Sequence, residues 1–440
     1  MDMNNDTTNH IEATRKPKEP TTEQCIQALQ KHGIYKYDFK SRTHYAFNGK
    51  FWSQIDRIIF EKRLIMLLGD NVKRRVREEI LATFNAKIAD DFLTQFDLPT
   101  GIVNLTNGVL NVKTNKLIPH SSSFHFLNVI PIEYNLLAPC ERWIKFIDQI
   151  LLDRPCLKNV IQEMFGYCLI PGNHLQVAFI LFGEGENGKS TLLEILRALL
   201  GADNTSALSL SDISDKFRRV NLMNKYANIC EESPNRAIES DVFKNLVAGG
   251  RVTAERKFQA PFDFNNQAKL IFAANSVPIF KDNTHSLHRR LVIIPFDYRV
   301  SPAEKDHDLL SKLLLELPGI LNWSLAGLER LMANKKVSPS LEADKTRSIF
   351  MREGDNVRMF IEEECTIDKE HEVENRTLYS AYNIFCNRYG YRACSDNEFG
   401  KRVRRCAPIV ERERKSTSTG EGNKRPWILR GIKWNEENSN

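Results

Sequence analysis

Apolar residues in this chain fall into short unbroken runs in its middle third and into alternating or helical spacings on either side. Val177 to Phe182 is one such run, short enough for a strand buried on both faces. Leu192, Ile195, Leu196 and Leu199 then recur at helical spacing, and Gly201 supplies a C-terminal stop. Tyr226 to Cys230, Lys269 to Ala274 and Leu291 to Ile294 are further runs of the buried-strand kind.

Upstream, residues 1–20 are polar and without period, and are expected to be a disordered tail. A helix start is expected at Thr21-Thr22-Glu23-Gln24. Tyr45 to Trp52 reads as a hairpin turning at Asn48-Gly49. Its aromatics could stack on bases, but hairpin core is the favoured reading. Ser53 to Phe96 is expected to be largely helical up to Pro99, and Ile102 to Leu117 alternates like strands, with turns at Asn107-Gly108 and Thr114-Asn115. Arg142 to Tyr167 is helical again.

Downstream, residues 337–355 are polar and broken by Pro339, as a linker would be. Three helices are expected after it: one starting near Val357, one over Thr377 to Tyr389, and one over Ser395 to Cys406. The third opens on Ser395 with Glu398 at the capping-box position. Strands are expected near Ile409 to Lys415 and Trp427 to Trp434, with a flexible wing over Ser416 to Arg425. Three helices and a hairpin make a winged helix.

Composition narrows the class. The 440 residues are 42% hydrophobic and 27% charged, enough for two or three globular domains. No apolar run reaches membrane-span length and the N-terminus is polar. Nine cysteines without C-x-x-C spacing suit a reducing compartment, so a cytoplasmic location is expected. The net charge of +6 is modest but uneven. From Phe399 to Trp434 eleven basic residues, Lys401, Arg402, Arg404 and Arg405 among them, face three acids, Glu411, Glu413 and Glu421. A basic third helix and wing are the electrostatic footprint of DNA binding, a basic protein-interaction module being the other reading.

The chemistry concentrates after the first run. Gly183-Glu184-Gly185-Glu186-Asn187-Gly188-Lys189-Ser190, followed by Thr191, fits G-x-x-x-x-G-K-[ST] between a strand and a helix. In that context backbone N–H groups and the helix N-terminus cradle phosphates, Lys189 reaches the β- and γ-phosphates and Ser190 ligates Mg²⁺ of bound ATP. Tyr226 to Cys230 ends in Glu231-Glu232, where one carboxylate can serve Mg²⁺ and the other the attacking water. Arg251 to Phe264 reads as a hairpin with a basic, aromatic tip, Arg256, Lys257 and Phe258, able to grip a phosphate and lean on a base. Asn275 ends a strand, where a polar side chain can reach the γ-phosphate. Arg289 and Arg290 precede another.

In this order the residues resemble a superfamily 3 helicase, and more closely the C-terminal part of phage and plasmid primases, the branch that includes the poxvirus primase-helicase. Phe47 to Trp52, Leu98-Pro99-Thr100, Asn107 to Leu110, Pro119-His120 and Leu317 to Trp323 resemble landmarks of that family, so the likeness spans roughly residues 40–434. The resemblance implies an α/β fold: an AAA+ P-loop NTPase core with a parallel sheet (139–336), preceded by an α+β pre-helicase domain (21–138) and followed by a winged-helix domain (356–440). It assigns Lys189 to the phosphates, Ser190 and Glu231 to Mg²⁺, Glu232 to the catalytic base, Asn275 to the sensor and Arg290 to a finger acting in trans, with Arg289 as the alternative finger. The hairpin tip would track single-stranded DNA, where the family often shows His at the position of Phe258. Lys401, Arg404 and Arg405 would meet duplex DNA. Fewer than about 50 residues precede the Asn48-Gly49 hairpin, short of a typical domain. The chain therefore looks like the motor without a priming domain, the primase being a possible separate partner.

The function expected on these grounds is an ATP-dependent replicative DNA helicase of a mobile element or virus, a homo-oligomeric and hexameric ring. An ATP-dependent initiator that melts an origin without processive unwinding is the first alternative. An RNA helicase or NTPase is the second.

Overall fold

The computed structural model describes residues 20–39, 42–69, 73–89, 101–231, 240–258, 260–276, 280, 285–301, 305–353, 355–389, 391, 393–414 and 426–435. The expected disordered tail up to Glu19, the Leu98-Pro99-Thr100 landmark, Glu232 and the expected wing over 416–424, with Arg425, lie outside these residues. Two compact units emerge, residues 1–100 with 119–129, and residues 101–118 with 130–440.

In the first unit, α1 (Thr22–Lys31) begins where expected, with Thr21 and Gln24 forming a reciprocal capping box. Strands β1 (Tyr35–Asp38), β2 (Thr43–Phe47) and β3 (Trp52–Ile55) form an antiparallel sheet, with Phe47 opposite Trp52 across the Asn48-Gly49 turn. Asn48 Oδ1 accepts the Lys50 and Phe51 amides, and Gly49 takes φ +95°. Tyr45 and Trp52 are buried, so these rings serve the core. Helices α2 (Ile58–Leu68) and α3 (Arg74–Ile88) pack on α1 through Phe60, Leu64 and Phe84.

The second unit opens with an antiparallel meander, β4 (Ile102–Leu105), β5 (Gly108–Asn111) and β6 (Lys116–Ile118), followed by α4 (Glu141–Ile150) and α5 (Pro155–Cys168). Then β7 (Ala178–Phe182) leads into α6 (Lys189–Leu200). β8 (Thr205–Ser206), α7 (Lys216–Arg219), β9 (Ala227–Cys230) and α8 (Ser240–Val247) follow. The hairpin β10 (Arg251–Ala254) and β11 (Phe262–Asn265) comes next, then β12 (Lys269–Ala274), α9 (His285–His288) and β13 (Leu291–Pro295). Five of these strands make a wholly parallel sheet in the order β13-β7-β12-β9-β8. Alternation along β7 feeds two cores: Phe179 and Leu181 join one with α4, α5 and α6, and Ala178 and Ile180 join the other with Phe243 and Leu246 of α8. Burial on both faces is why these strands read as unbroken apolar runs.

Helices α10 (Leu309–Leu314) and α11 (Leu317–Asn334) close the first of those cores. The stretch expected to be a linker contains α12 (Leu341–Glu353), packed against β13. Its polar composition reflects a mostly exposed surface, while Ala343 is buried and its amide is held by Ser340 Oγ at 3.3 Å. The C-terminal region holds α13 (Asn356–Glu364), β14 (Cys365–Thr366), β15 (Glu372–Glu374), α14 (Asn375–Arg388) and α15 (Asp396–Cys406), then β16 (Glu411–Arg414), β17 (Trp427–Arg430) and β18 (Lys433–Trp434). Ser395 caps α15 by accepting the Glu398 amide. The three helices meet at Phe360, Tyr382, Phe385 and Phe399, with Tyr382 stacked on Phe399 at 4.7 Å, and the sheet β15-β17-β16 adds Leu429. No helix among the described residues is long and apolar enough to cross a membrane.

Candidate active site

The loop from Gly183 to Ser190 joins the C-terminal end of β7 to α6, and its shape depends on two glycines. A Cβ at Gly183 would lie 2.4 Å from the Phe296 carbonyl oxygen. Gly188, at φ +83°, is the N-cap of α6, and a Cβ there would meet Ile150 at 2.7 Å. The buried Asn187 amide donates to the Phe296 carbonyl at 3.1 Å and to the Glu184 carbonyl. The Val300 amide donates to Glu186 O at 2.9 Å. The segment after β13 is thus laced along the loop. The side chains of Glu184 and Glu186 turn to that segment, where they pair with Arg299 and, at 3.8 Å, with Lys305.

Lys189 Nζ donates to Gly183 O at 2.6 Å and Glu184 O at 2.9 Å. Both acceptors are neutral, and burial draws the amine down to about 8. A cavity of about 520 Å³ opens beside it, lined by Gly185 to Thr191, Glu231, Asn275 and, farther along, by Phe146, Gln149, Ile150, Tyr298, His307 and Leu310. Gln149 Nε2 donates to Tyr298 Oη at 2.6 Å on that far side. Lys189, Ser190, Glu231 and Asn275 therefore meet around one space, although they come from α6 and from the ends of β9 and β12. Sequence reasoning missed Arg197. It lies on α6, with Nη1 3.4 Å from Glu231 Oε1 and Nη2 3.4 Å from Ile229 O, and it also pairs with Glu194. A helical arginine 34 positions from its carboxylate gives no local signal.

Arg290 is not among the residues around this cavity. Leu291 pairs with Ala178 and Pro295 with Phe182, so Arg290 stands at the opposite end of the sheet from the loop. Its Nη1 donates to Ser286 O and Oγ at 2.6 and 2.7 Å, while Nε is enclosed without a hydrogen-bond partner among the described residues. Arg289 beside it is exposed.

At the β10–β11 tip Lys257 is exposed and Phe258 is fully so, at φ +63°. Arg256 folds back over the Phe262 ring at 5.0 Å. Arg219 braces the hairpin by donating to Thr253 O at 2.6 Å. On α15, Lys401 and Arg404 are exposed, and Arg405 is half exposed and 3.7 Å from Asp355. Arg402 is buried against the same carboxylate at 2.5 Å, so part of the positive charge counted along this helix is neutralised internally.

Family models place these features in context. A model described as D5 N terminal like matches residues 23–152, and one described as Poxvirus D5 protein-like matches residues 352–436. Together with the helicase-named viral proteins below, these matches relate the chain to the D5-like primase-helicases. Between the two D5 matches, a family of unknown function (DUF5906) matches residues 181–290, from the end of β7 to Arg290. Curated relatives carry putative-helicase names. L207/L206 of Acanthamoeba polyphaga mimivirus is 26% identical over 167 residues, 34% of this chain and 16% of that protein. The proteins 184R of Invertebrate iridescent virus 6 and 121R of Invertebrate iridescent virus 3 are each 22% identical, over 57% and 79% of this chain and 28% and 40% of their own lengths. The chain thus spans less than half of each of these relatives. Among solved structures, the apo C-terminal region of NrS-1 (305-718) superposes with a TM-score of 0.52 at 12% identity, covering 95% of this chain and 100% of that one, a likeness of fold.

Proposed function

We propose that this D5-like chain is an ATP-driven DNA motor for replication, with the β7–α6 loop as its phosphate site. The observation that carries the reading is the meeting of Lys189, Ser190, Glu231 and Asn275 around one cavity at the C-terminal end of a parallel sheet. In order of appearance its strands run 5-1-4-3-2, which leaves β7, the strand before the loop, inside the sheet. Lys189 exchanges two neutral carbonyl acceptors for phosphate oxygens, which bring the opposite charge to its ammonium. The Ser190 hydroxyl and the Glu231 carboxylate suit a hard cation that keeps waters and phosphate oxygens as its other ligands. Mg²⁺ held there would neutralise phosphate charge. Arg197 positions the Glu231 carboxylate, Asn275 orients the attacking water and Glu232 serves as the base.

Arg290, at the far end of its own sheet, acts on a neighbouring subunit's nucleotide, which makes the motor a ring, taken here to be hexameric. The exposed Lys257 and Phe258 grip one DNA strand in the channel, and the C-terminal helices and strands serve as a winged helix on duplex DNA. The first unit with the meander is a pre-helicase region.

Lys189→Ala is expected to abolish ATP hydrolysis with an unchanged far-UV spectrum, and hydrolysis near the wild-type rate would remove the motor assignment. Strand displacement on a forked duplex then separates the readings: ATPase activity without displacement assigns the chain to origin melting.

A further inference from the structure

The β16–β17 pair carries a second concentration of cations that the motor does not use. Its register sets Arg414 opposite Trp427 and Arg412 opposite Leu429. Antiparallel partners share a face and faces alternate along a strand, so Arg412, Arg414 and Trp427 lie on one face and Glu413 and Arg430 on the other. The second face is balanced in the usual way, with Arg430 3.2 Å from Glu413 and 3.8 Å from Glu372. The first face is not. The Arg412 and Arg414 guanidinium carbons lie 4.4 and 4.7 Å from the centre of the Trp427 ring. Neither arginine has an ion pair or a side-chain hydrogen bond among the described residues, and Arg412 Nε is enclosed without an acceptor.

Two like charges are therefore held together on one indole with no anion between them. Guanidinium groups held this close to an aromatic ring keep N–H donors that can meet a pair of phosphate oxygens. Helix α15 runs beside them: a Cβ at Gly400 would lie 3.8 Å from Arg412 Nη1, and the exposed Lys401 follows directly. The ring is itself partly exposed. A surface of this kind suits an oxyanion carried on a long polymer.

We propose that Arg412 and Arg414, oriented by Trp427, clamp a backbone phosphate of DNA at the base of the β16–β17 hairpin. This rests on reading the C-terminal region as DNA-binding and adds the site and the role of the uncharged ring. The ligand is a phosphodiester group, which a duplex or a single strand could present.

The test is fluorescence anisotropy on the full chain without nucleotide, using the same oligonucleotide single-stranded and as a duplex across a salt series. Arg412→Gln with Arg414→Gln is expected to weaken binding and to lower the slope of log affinity against log salt. Each lost phosphate contact removes about 0.9 on duplex or 0.7 on a single strand. The form showing the larger loss identifies the source of the phosphate. Trp427→Ala, which removes no charge, should fall most of the way to the double variant, and Trp427→Phe should recover it. Wild-type affinity in Trp427→Ala overturns the clamp. Should that variant fail to fold, wild-type affinity in the double arginine variant overturns it equally. Lys401→Gln with Arg404→Gln separates the two levels: if it weakens binding while the clamp variants do not, only the clamp fails. If neither set weakens binding, the clamp and the DNA-binding reading of this region fall together.

Discussion

The two ends of the parallel sheet each hold a lysine in unusual surroundings. At the C-terminal end Lys189 donates to the carbonyls of Gly183 and Glu184, and burial draws its amine down to about 8. At the N-terminal end Lys269, fully buried at the start of β12, donates to the Ile170 carbonyl, sits 4.8 Å from the centre of the Tyr167 ring and is drawn down to about 7. Chemically the pair look alike: each is a cation satisfied by neutral main-chain acceptors. They differ in access. A cavity of about 520 Å³ borders Lys189, whereas Lys269 has 0% exposure. A depressed lysine is therefore not in itself a sign of a site; a depressed lysine open to an incoming anion is.

Arg290 stands at the same end as Lys269, which gives the sharpest way to break the comparison. If the N-terminal end of the sheet serves only structure, Arg290→Ala will lose little. If it faces a neighbour's nucleotide, hydrolysis should fall by about 10³–10⁵-fold with nucleotide binding retained. Mixed with the equally inactive Lys189→Ala protein, it should then regain part of the activity, since some interfaces pair an intact loop with an intact finger. Arg289→Ala run in parallel identifies which arginine complements. No recovery in either mixture, with mixed assembly verified, refutes a trans-acting end.

The next effect follows from the proton on Lys189. Phosphate oxygens favour the ammonium form and raise its pKa in the complex, while the free protein begins to lose that proton near pH 8. Nucleotide binding should therefore take up a proton above pH 8, and affinity should fall by up to about tenfold per pH unit as pH rises further. Calorimetry at about pH 8.5, in two buffers of different ionisation enthalpy, reads the uptake directly. Equal heats in both buffers would mean that Lys189 is already fully protonated in the free protein.

Much of the C-terminal end was legible in the sequence, and little of what surrounds it. Val177 to Phe182 and Lys269 to Ala274 read as buried strands because both faces are covered, and the glycine-lysine loop carries its own conformational requirement in Gly188. Partners set by packing carry no such signature. Arg197 reaches Glu231 only because α6 lies beside β9, and Glu184 and Glu186 find Arg299 and Lys305 only because the chain after β13 returns along the loop. Arg402 counts as one more surface charge until α15 turns it onto the buried Asp355. The expected linker over 337–355 hides α12 because, among the described side chains of 341–349, Ala343 alone is buried, and strands β4 to β6 fall in the second unit through pairings that periodicity does not encode.

The smallest expected effect tests whether Lys269 is structural alone. Its pKa is lowered by folding, so the unfolded chain holds the proton up to its ordinary value near 10.5 while the folded chain releases it near 7. Below pH 7 both states are charged and the full cost of burying an ammonium is present. Between about 7 and 10.5 the unfolded chain binds more protons, and stability rises with pH. Lys269→Met keeps a side chain of similar length and removes the buried charge. It also leaves the Ile170 carbonyl without its donor, a loss of about 1–3 kcal/mol. The variant should therefore compare best with wild type below pH 7 and progressively worse up to about pH 10.5, while its basal ATP hydrolysis at neutral pH should match that of wild type. Melting temperatures of the two proteins across that range read the difference, and every other titrating group cancels to first order between them. A constant offset at all pH values would show that Lys269 stays charged when folded. Lost hydrolysis with an intact melting transition would show that the two ends of the sheet are coupled and that accessibility does not separate them.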